Sequence, residues 1–129
     1  MKYSRKNMDP NSLASSFVQH YYSNFCNQAT RANVLSLYSP TAQMIFNGTH
    51  CRGIDAIQQQ LERMSFKTVN IPNPTIAAMD LGGRYLVKVS GLLSIDDSNQ
   101  PIGFAHVFVL GSNNGSFYIE GEIFSFAIN

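Results

Sequence analysis

The segment FAHVFVL at residues 104–110 decides the fold, because it is apolar on both faces of a β-strand. Successive side chains of a strand point to opposite sides of its sheet. One side of this segment is largely aromatic, and the other side carries only small or branched apolar residues: Ala105, Val107 and Val109. A sheet with two apolar faces needs cover on both, so we expect helices on one face and a partner subunit on the other.

Similar β-rich runs surround this segment and fill the second half of the chain. They cover residues 67–79, 84–95, 102–110 and 116–126, and turn-forming segments rich in Gly, Asn, Asp and Ser separate them. This spacing predicts an antiparallel meander. The first run is interrupted by Ile71-Pro72-Asn73-Pro74, and prolines inside a strand indicate an edge position or a bulge.

The first half of the chain has helical periodicity. Asp9-Pro10 combines a helix N-cap residue with the residue best tolerated at the first helical position. Large apolar residues then recur at helical spacing and predict a long amphipathic helix: Leu13, Phe17, Tyr21 and Phe25.

Two shorter helices and a hairpin complete the predicted elements. We expect a short helix near residues 31–38, a hairpin over 41–52 with its turn at Asn47-Gly48, and a third helix over 53–64. Helices that precede strands, without a βαβ alternation, indicate an α+β domain in which helices cover one face of a curved sheet.

Length and charge restrict the classes of function. The 129 residues suit one domain, assigned to residues 9–129, after a polar extension at residues 1–8. Nine basic and eight acidic residues give a formal charge of +1, without the basic stripe that nucleic-acid binding needs. The chain has no apolar run of membrane-spanning length and no secretory leader, so we expect an intracellular protein with free thiols at Cys26 and Cys51.

No catalytic or metal-binding motif is present in the sequence. The histidines His20, His50 and His106 are far apart and lack the spacing of a zinc site, so we expect neither a metal nor a cofactor. An isomerase or dehydratase would need an acid–base residue inside a cavity. The candidates are His106 and Asp80, and the sequence indicates no partner for either, so we do not expect an enzyme.

The segment Ser16-Phe17-Val18-Gln19-His20-Tyr21-Tyr22 resembles the first-helix signature of the nuclear transport factor 2 family. The resemblance continues to the C-terminus in the order and approximate spacing of the family. The further matching segments are Phe46-Asn47-Gly48 followed by Arg52-Gly53, residues 61–66, Ser90-Gly91-Leu92-Leu93, Gly103-Phe104, and Glu122-Ile123-Phe124.

The resemblance implies a cone-shaped α+β fold in which three helices pack on a curved antiparallel sheet and the sheet face forms a homodimer. It also implies a carrier without catalytic chemistry. Such a carrier binds the GDP form of the GTPase Ran and the Phe-x-Phe-Gly repeats of nucleoporins, and it takes Ran into the nucleus. The implied location is the cytoplasm and the nucleus, with enrichment at the nuclear pores.

The resemblance also assigns residues to these two partners. Phe46 falls at the repeat-binding aromatic position. Asp96 and Asp97 match an acidic loop at the mouth of the Ran-binding cavity, and Phe124 matches an aromatic residue that lines this cavity or the dimer surface. Asn47 stands where carriers of the family usually have a glutamate that pairs with a Ran lysine.

The departure at Asn47 leaves two hypotheses open. The missing charge could be supplied by an acid elsewhere: Asp96, Asp97, Glu120 or Glu122. Alternatively, Asn47-Gly48 matches the small subunit of the messenger RNA export receptor, an adaptor that pairs with a larger partner of the same fold. The Phe17–Tyr22 run resembles the carrier more closely, which favours the carrier.

Overall fold

The computed structural model describes residues 9–127. Helix α1 spans Pro10–Phe25, a 3₁₀ helix spans Arg31–Leu37, and helix α2 spans Ile54–Glu62. The strands are β1 (Tyr38–Phe46), β2 (Thr49–Arg52), β3 (Val69–Asn70), β4 (Thr75–Asp80), β5 (Tyr85–Ile95), β6 (Ile102–Asn113) and β7 (Ser116–Ala127). The polar extension predicted at residues 1–8 lies outside the described residues.

The strands form one sheet in the order β2-β1-β7-β6-β5-β3, and β4 also pairs with β5. The predicted antiparallel meander is confirmed for β4 through β7. The pairing of β1 with β7 is parallel and was not predicted from the sequence. It arises because the β1–β2 hairpin lies beside the last strand of the chain, so that two segments from opposite ends of the sequence become neighbours.

Helix α1 crosses the inner face of this sheet, as its periodicity predicts. Its N-cap Asp9 accepts a hydrogen bond from the Ser12 amide at 2.8 Å. The rings of Phe17 and Tyr21 meet the ring of Phe108 on β6, with centroid distances of 5.1 and 5.0 Å. These side chains are completely or almost completely buried, so the core lies between α1 and the inner face of the sheet.

The turn predictions agree with the backbone. Asn47 and Gly48 have φ angles of +46° and +93°, as a two-residue hairpin turn requires. The interruption around Pro72 and Pro74 separates β3 from β4, and both strands pair with β5. The predicted second helix is present as a 3₁₀ helix, and α2 is shorter than the predicted range by a residue or two at each end.

The outer face of the sheet carries apolar side chains that no helix covers. Leu92 is 53% exposed and Ile123 is 48% exposed, while Val107 and Val109 of β6 are half-buried beside them. The predicted two-sided apolar character of the sheet is therefore present. Within residues 9–127, no helix is both long and apolar enough to cross a membrane.

Candidate functional site

An apolar pocket opens where the C-terminal part of α1 meets the ends of several strands. Its wall is made of aromatic and branched side chains: Tyr22, Phe25, Phe46, Phe66, Val69, Ile71, Leu93, Ile95, Phe124 and Phe126. The pocket is narrow, with a volume of about 20 Å³. That volume suits roughly one water molecule, so any aromatic guest requires the wall to move.

Two of the residues assigned from the sequence line this pocket. The ring of Phe46 stacks on that of Phe124, with centroids 4.9 Å apart and planes inclined by 8°. Phe124 is 6% exposed and also contacts the ring of Phe126 edge-on at 5.2 Å. Phe124 is therefore both a core residue and a pocket wall, while the half-buried Phe46 borders the pocket and the solvent.

Asn47 and Asp96 lie next to pocket-lining residues, and both have positive φ angles. The amide of Asn47 donates to the carbonyl of Phe124 at 2.7 Å, and its side-chain oxygen accepts from the Phe126 amide at 3.4 Å. Asn47 thus ties the hairpin turn to β7 beside the pocket.

Asp96 follows Ile95 of the pocket wall and is exposed. Its Oδ1 accepts hydrogen bonds from the amides of Thr68 at 2.9 Å and Lys67 at 2.7 Å. These backbone bonds, that of Thr68 first, lower the pKa of the Asp96 carboxyl. Asp97 is exposed beside it. The residues assigned from the sequence therefore gather around one pocket.

A buried polar cluster that no sequence pattern predicted lies behind the pocket. The carboxylate of Glu122, in a residue only 4% exposed, accepts hydrogen bonds from the hydroxyls of Tyr21 (2.9 Å) and Tyr38. The Nε2 of His106 lies 2.5 Å from the same carboxylate. The hydroxyl of the pocket residue Tyr22 lies 2.8 Å from the Nδ1 of His106.

This cluster corrects two expectations. His106 has an acidic partner, because Glu122 lies diagonally across from it on β7, where Glu122 pairs with Phe108. Glu122 is not a surface acid available to Ran, since its carboxylate lies inside the core. The reason is a bulge on β7: Val109 pairs with Gly121 and Leu110 with Ile119, so Glu120 is the extra residue. A bulge adds one residue to a strand and reverses the alternation beyond it, so Glu122 points inward and Ile123 outward.

The polar groups of the cluster bind one another. Burial, followed by the charge of Glu122, raises the pKa of the Tyr21 and Tyr38 hydroxyls, so they stay protonated and donate to the carboxylate. Every buried side-chain nitrogen and oxygen within residues 9–127 has a hydrogen-bond partner. The pocket surface in front of the cluster is apolar. The arrangement therefore fixes α1 to β1, β6 and β7 and offers no acid–base group to a substrate.

The described part of the chain also contains no metal-binding cluster. Within residues 9–127, no three His, Cys, Asp or Glu side chains converge on one point. Cys26 and Cys51 are free thiols, as predicted, and burial raises the pKa of Cys26 to about 11. Burial also raises the pKa of Cys51, so neither thiol is an ionised nucleophile near neutral pH.

Comparison with known proteins agrees with this fold. The family model for the nuclear transport factor 2 (NTF2) domain matches residues 13–126. Nuclear transport factor 2 of Schizosaccharomyces pombe is 32% identical over 118 residues, which are 90% of this chain and 94% of the relative.

Solved structures give the same result. The structure of nuclear transport factor 2 from Cryptosporidium parvum superposes with a TM-score of 0.80 at 28% identity and covers 93% of this chain and 99% of its own. The yeast UBP3-associated protein BRE5 shares the fold alone, with a TM-score of 0.70 at 20% identity over 92% of this chain and 96% of its own. The chain belongs to the nuclear transport factor 2 family.

Proposed function

We propose that this chain is a nuclear transport carrier that receives an aromatic side chain of Ran-GDP in the apolar pocket. The observation that carries the proposal is the pocket itself, where aromatic walls meet the acidic pair Asp96 and Asp97 at one edge. An apolar guest flanked by basic groups fits such a surface, because the pocket supplies apolar contact and the acids supply charge complementarity. The relatives named nuclear transport factor 2 support this role.

The acidic edge can replace the glutamate that is missing at position 47. Both backbone amides that bind Asp96 use the same oxygen, Oδ1, and the side chain is exposed. The carboxylate can therefore also pair with a cation from solvent. Asn47 is neutral and holds the Phe126 amide, so its contribution to Ran binding is the shape of the pocket edge.

Phe46 is the proposed contact for Phe-x-Phe-Gly repeats of nucleoporins. It is half-buried beside the exposed Asn47-Gly48 turn, so one side of its ring packs on Phe124 while the rest remains accessible. Aromatic rings that stack in this way contribute about 0.5–1.5 kcal/mol each beyond the area they bury. Weak single contacts of this size suit a carrier that must release each repeat quickly, and a dimer would gain avidity from two such sites.

The outer sheet face is the proposed homodimer surface. The exposed side chains of Leu92 and Ile123 lie on it with the half-buried Val107 and Val109. An apolar patch of this kind on a soluble domain marks an interaction surface. A second copy of the chain would cover the patch with an identical one, which is the geometry of a twofold interface.

An adaptor that pairs with a larger partner of the same fold is the second candidate. The observation that favours it is the neutral Asn47 at the pocket edge, because a Ran carrier gains from a charge there. The same outer face would then hold the larger partner in place of a second copy. An isomerase or dehydratase is not proposed, since the His106–Glu122 pair is sealed in the core.

Calorimetry tests the carrier against the adaptor. The purified protein, checked by sedimentation, is titrated with Ran loaded with GDP and separately with a GTP analogue. We expect binding of the GDP form alone by a stable homodimer. Binding of neither form, or a protein that stays monomeric, favours the adaptor. Replacing both Asp96 and Asp97 by Asn should weaken Ran binding and reduce its salt dependence, and unchanged affinity would remove the acidic edge from the interface.

A Phe46→Ala variant tests the repeat contact. We expect weaker binding of a Phe-x-Phe-Gly peptide with the dimer retained. The matched control is Tyr118→Ala, which removes a half-buried ring that lies outside the pocket wall. Equal peptide binding by wild type and Phe46→Ala would contradict the assignment of Phe46.

A further inference from the structure

The narrow apolar pocket has one wall that differs from the rest. Eight of its ten lining side chains belong to helices or strands. The exceptions are Phe66, in the irregular segment between α2 and β3, and Ile71, in the segment between β3 and β4. Phe66 is half-buried, and its ring borders both the pocket and the solvent. A wall that must move to admit a ring moves most easily where no ladder of hydrogen bonds holds it.

Arg31 holds the segment that carries Phe66. Its guanidinium donates to the carbonyls of Met64 and Phe66, both at 3.1 Å, and its Nε donates to the carbonyl of Phe25 at 2.9 Å. The guanidinium carbon lies 4.2 Å from the centroid of the Phe66 ring. Arg31 is 3% exposed, and the bonds it makes here go to carbonyl oxygens. A buried cation thus ties this short irregular segment to the end of α1.

Asp96 anchors the end of the same segment. Its Oδ1 accepts from the amides of Lys67 and Thr68, and its own amide donates to the Thr68 carbonyl at 2.9 Å. The Lys67 carbonyl accepts from the Gln28 amide at 2.8 Å. Residues 67 and 68 are therefore tied from two sides, whereas the bonds described for residues 64–66 depend largely on Arg31.

We propose that residues 64–66 form a gate over the apolar pocket, with Phe66 as the ring that moves aside for an aromatic guest. Arg31 is a positioning residue that holds this gate closed, and Asp96 anchors its hinge at residues 67–68. The inference rests on the proposed use of the pocket by an aromatic side chain. It adds that the pocket opens on one side, and that a cation pairing with Asp96 acts on the hinge of the gate.

The gate predicts a kinetic difference between two rings of the same pocket. Phe66 lies on the irregular segment, whereas Phe126 lies on β7 and is the matched control. Indole is the probe, and its association and dissociation rates are followed by NMR line shape in the full-length protein. We expect Phe66→Ala to raise the association rate about tenfold or more, and Phe126→Ala to leave it within about twofold.

A second set of variants tests Arg31 without removing a ring. Arg31→Lys keeps the charge but loses the planar fork that reaches several carbonyls. Fluorine NMR of 4-fluorophenylalanine at position 66 should show a second, exposed resonance whose population rises about tenfold in this variant, the effect of losing one charge-assisted hydrogen bond. If Arg31→Lys does not fold, Asp96→Asn serves as the second variant and should increase the exchange between the two resonances.

The outcomes of these experiments test the gate independently of the proposal that Ran-GDP is the partner. Equal association rates for Phe66→Ala and Phe126→Ala, no indole binding by Phe66→Ala, or a fluorine signal unchanged by both Arg31→Lys and Asp96→Asn would overturn the gate. Faster association in Phe66→Ala together with an altered fluorine spectrum supports it. If Ran-GDP does not bind in the calorimetric titration while the indole and fluorine results are as expected, Ran is rejected as the partner and the gate is retained.

Discussion

Glu122 and Ile123 are neighbours on β7, yet each lies where the other would be expected. The carboxylate residue is 4% exposed among tyrosine hydroxyls and an imidazole, while the isoleucine is 48% exposed on the opposite face. Glutamate is among the residues least often buried, and large apolar side chains are usually buried. The two faces of one strand therefore differ: the inner face holds the fold together through a polar cluster, and the outer face exposes an apolar surface that we propose is covered by a partner.

The largest expected effect comes from removing the inner carboxylate. A Glu122→Leu variant leaves the Tyr21 and Tyr38 hydroxyls and the His106 imidazole buried without their common acceptor. We expect it to lower the free energy of unfolding by about 3–5 kcal/mol, because each buried donor left without its acceptor costs about 1–3 kcal/mol. Urea denaturation measures the change. Glu122→Gln, which keeps the shape and one acceptor oxygen, should cost less, and a loss below about 1 kcal/mol for the leucine variant would contradict the role of the cluster.

The next effect concerns the outer face. An Ile123→Asp variant places a charge in the middle of the proposed dimer surface while leaving Glu122 and its partners in place. We expect the dissociation constant of the homodimer to rise about 100-fold, because an unpaired charge would be buried at the centre of the interface. Sedimentation over a range of concentrations measures it. Gln59→Glu, on the exposed side of α2, adds a negative charge away from the sheet and should leave the dimer unchanged.

Alkaline pH tests how the buried cluster on the inner face contributes to the free energy of unfolding. Burial and the charge of Glu122 raise the pKa of the Tyr21 hydroxyl above its unfolded-state value. The corresponding stability is fully present below the unfolded value of about 10 and is lost as the pH rises above it. The free energy of unfolding of the wild type should therefore fall more steeply between about pH 9 and 11.5 than that of Tyr21→Phe. Equal slopes would contradict this account.

The smallest expected effect is at acid pH and concerns the exposed carboxylate Asp96. The amides of Thr68 and Lys67 lower its pKa, so its contribution is present above the unfolded value of about 3.9 and is lost as the pH falls through the folded value. The thermal midpoint of the wild type should therefore decrease more on acidification than that of Asp96→Asn. Asp97→Asn is the matched control and should follow the wild type.

The sequence predicted the elements that depend on local periodicity. The stripe along α1, the Asn47-Gly48 turn and the meander from β4 to β7 are confirmed. The parallel pairing of β1 with β7 was not predicted, because no local pattern shows which distant strand a hairpin will join.

The candidate site was predicted in part. Phe46 and Phe124 were assigned from the family resemblance of the sequence, and their rings meet in one pocket. The cluster at Glu122 was missed because alternation counted from Phe117 and Ile119 places Glu122 on the outer face. The bulge near Glu120 reverses that alternation, and a bulge is visible only when the two paired strands are seen together. The contacts of Arg31 with Met64 and Phe66 were missed for a similar reason, since these carbonyls belong to backbone far along the chain.

Methyl NMR of the protein with Ran-GDP tests most directly whether the two faces have separate tasks. The reporters of the inner pocket are the methyl groups of Val69, Leu93 and Ile95, and those of the outer face are Val107, Val109 and Ile123. We expect Ran-GDP to shift the pocket methyl signals and to leave the outer-face signals unchanged. Shifts confined to the outer face would contradict it, because the partner would then occupy the surface assigned here to a second copy of the chain.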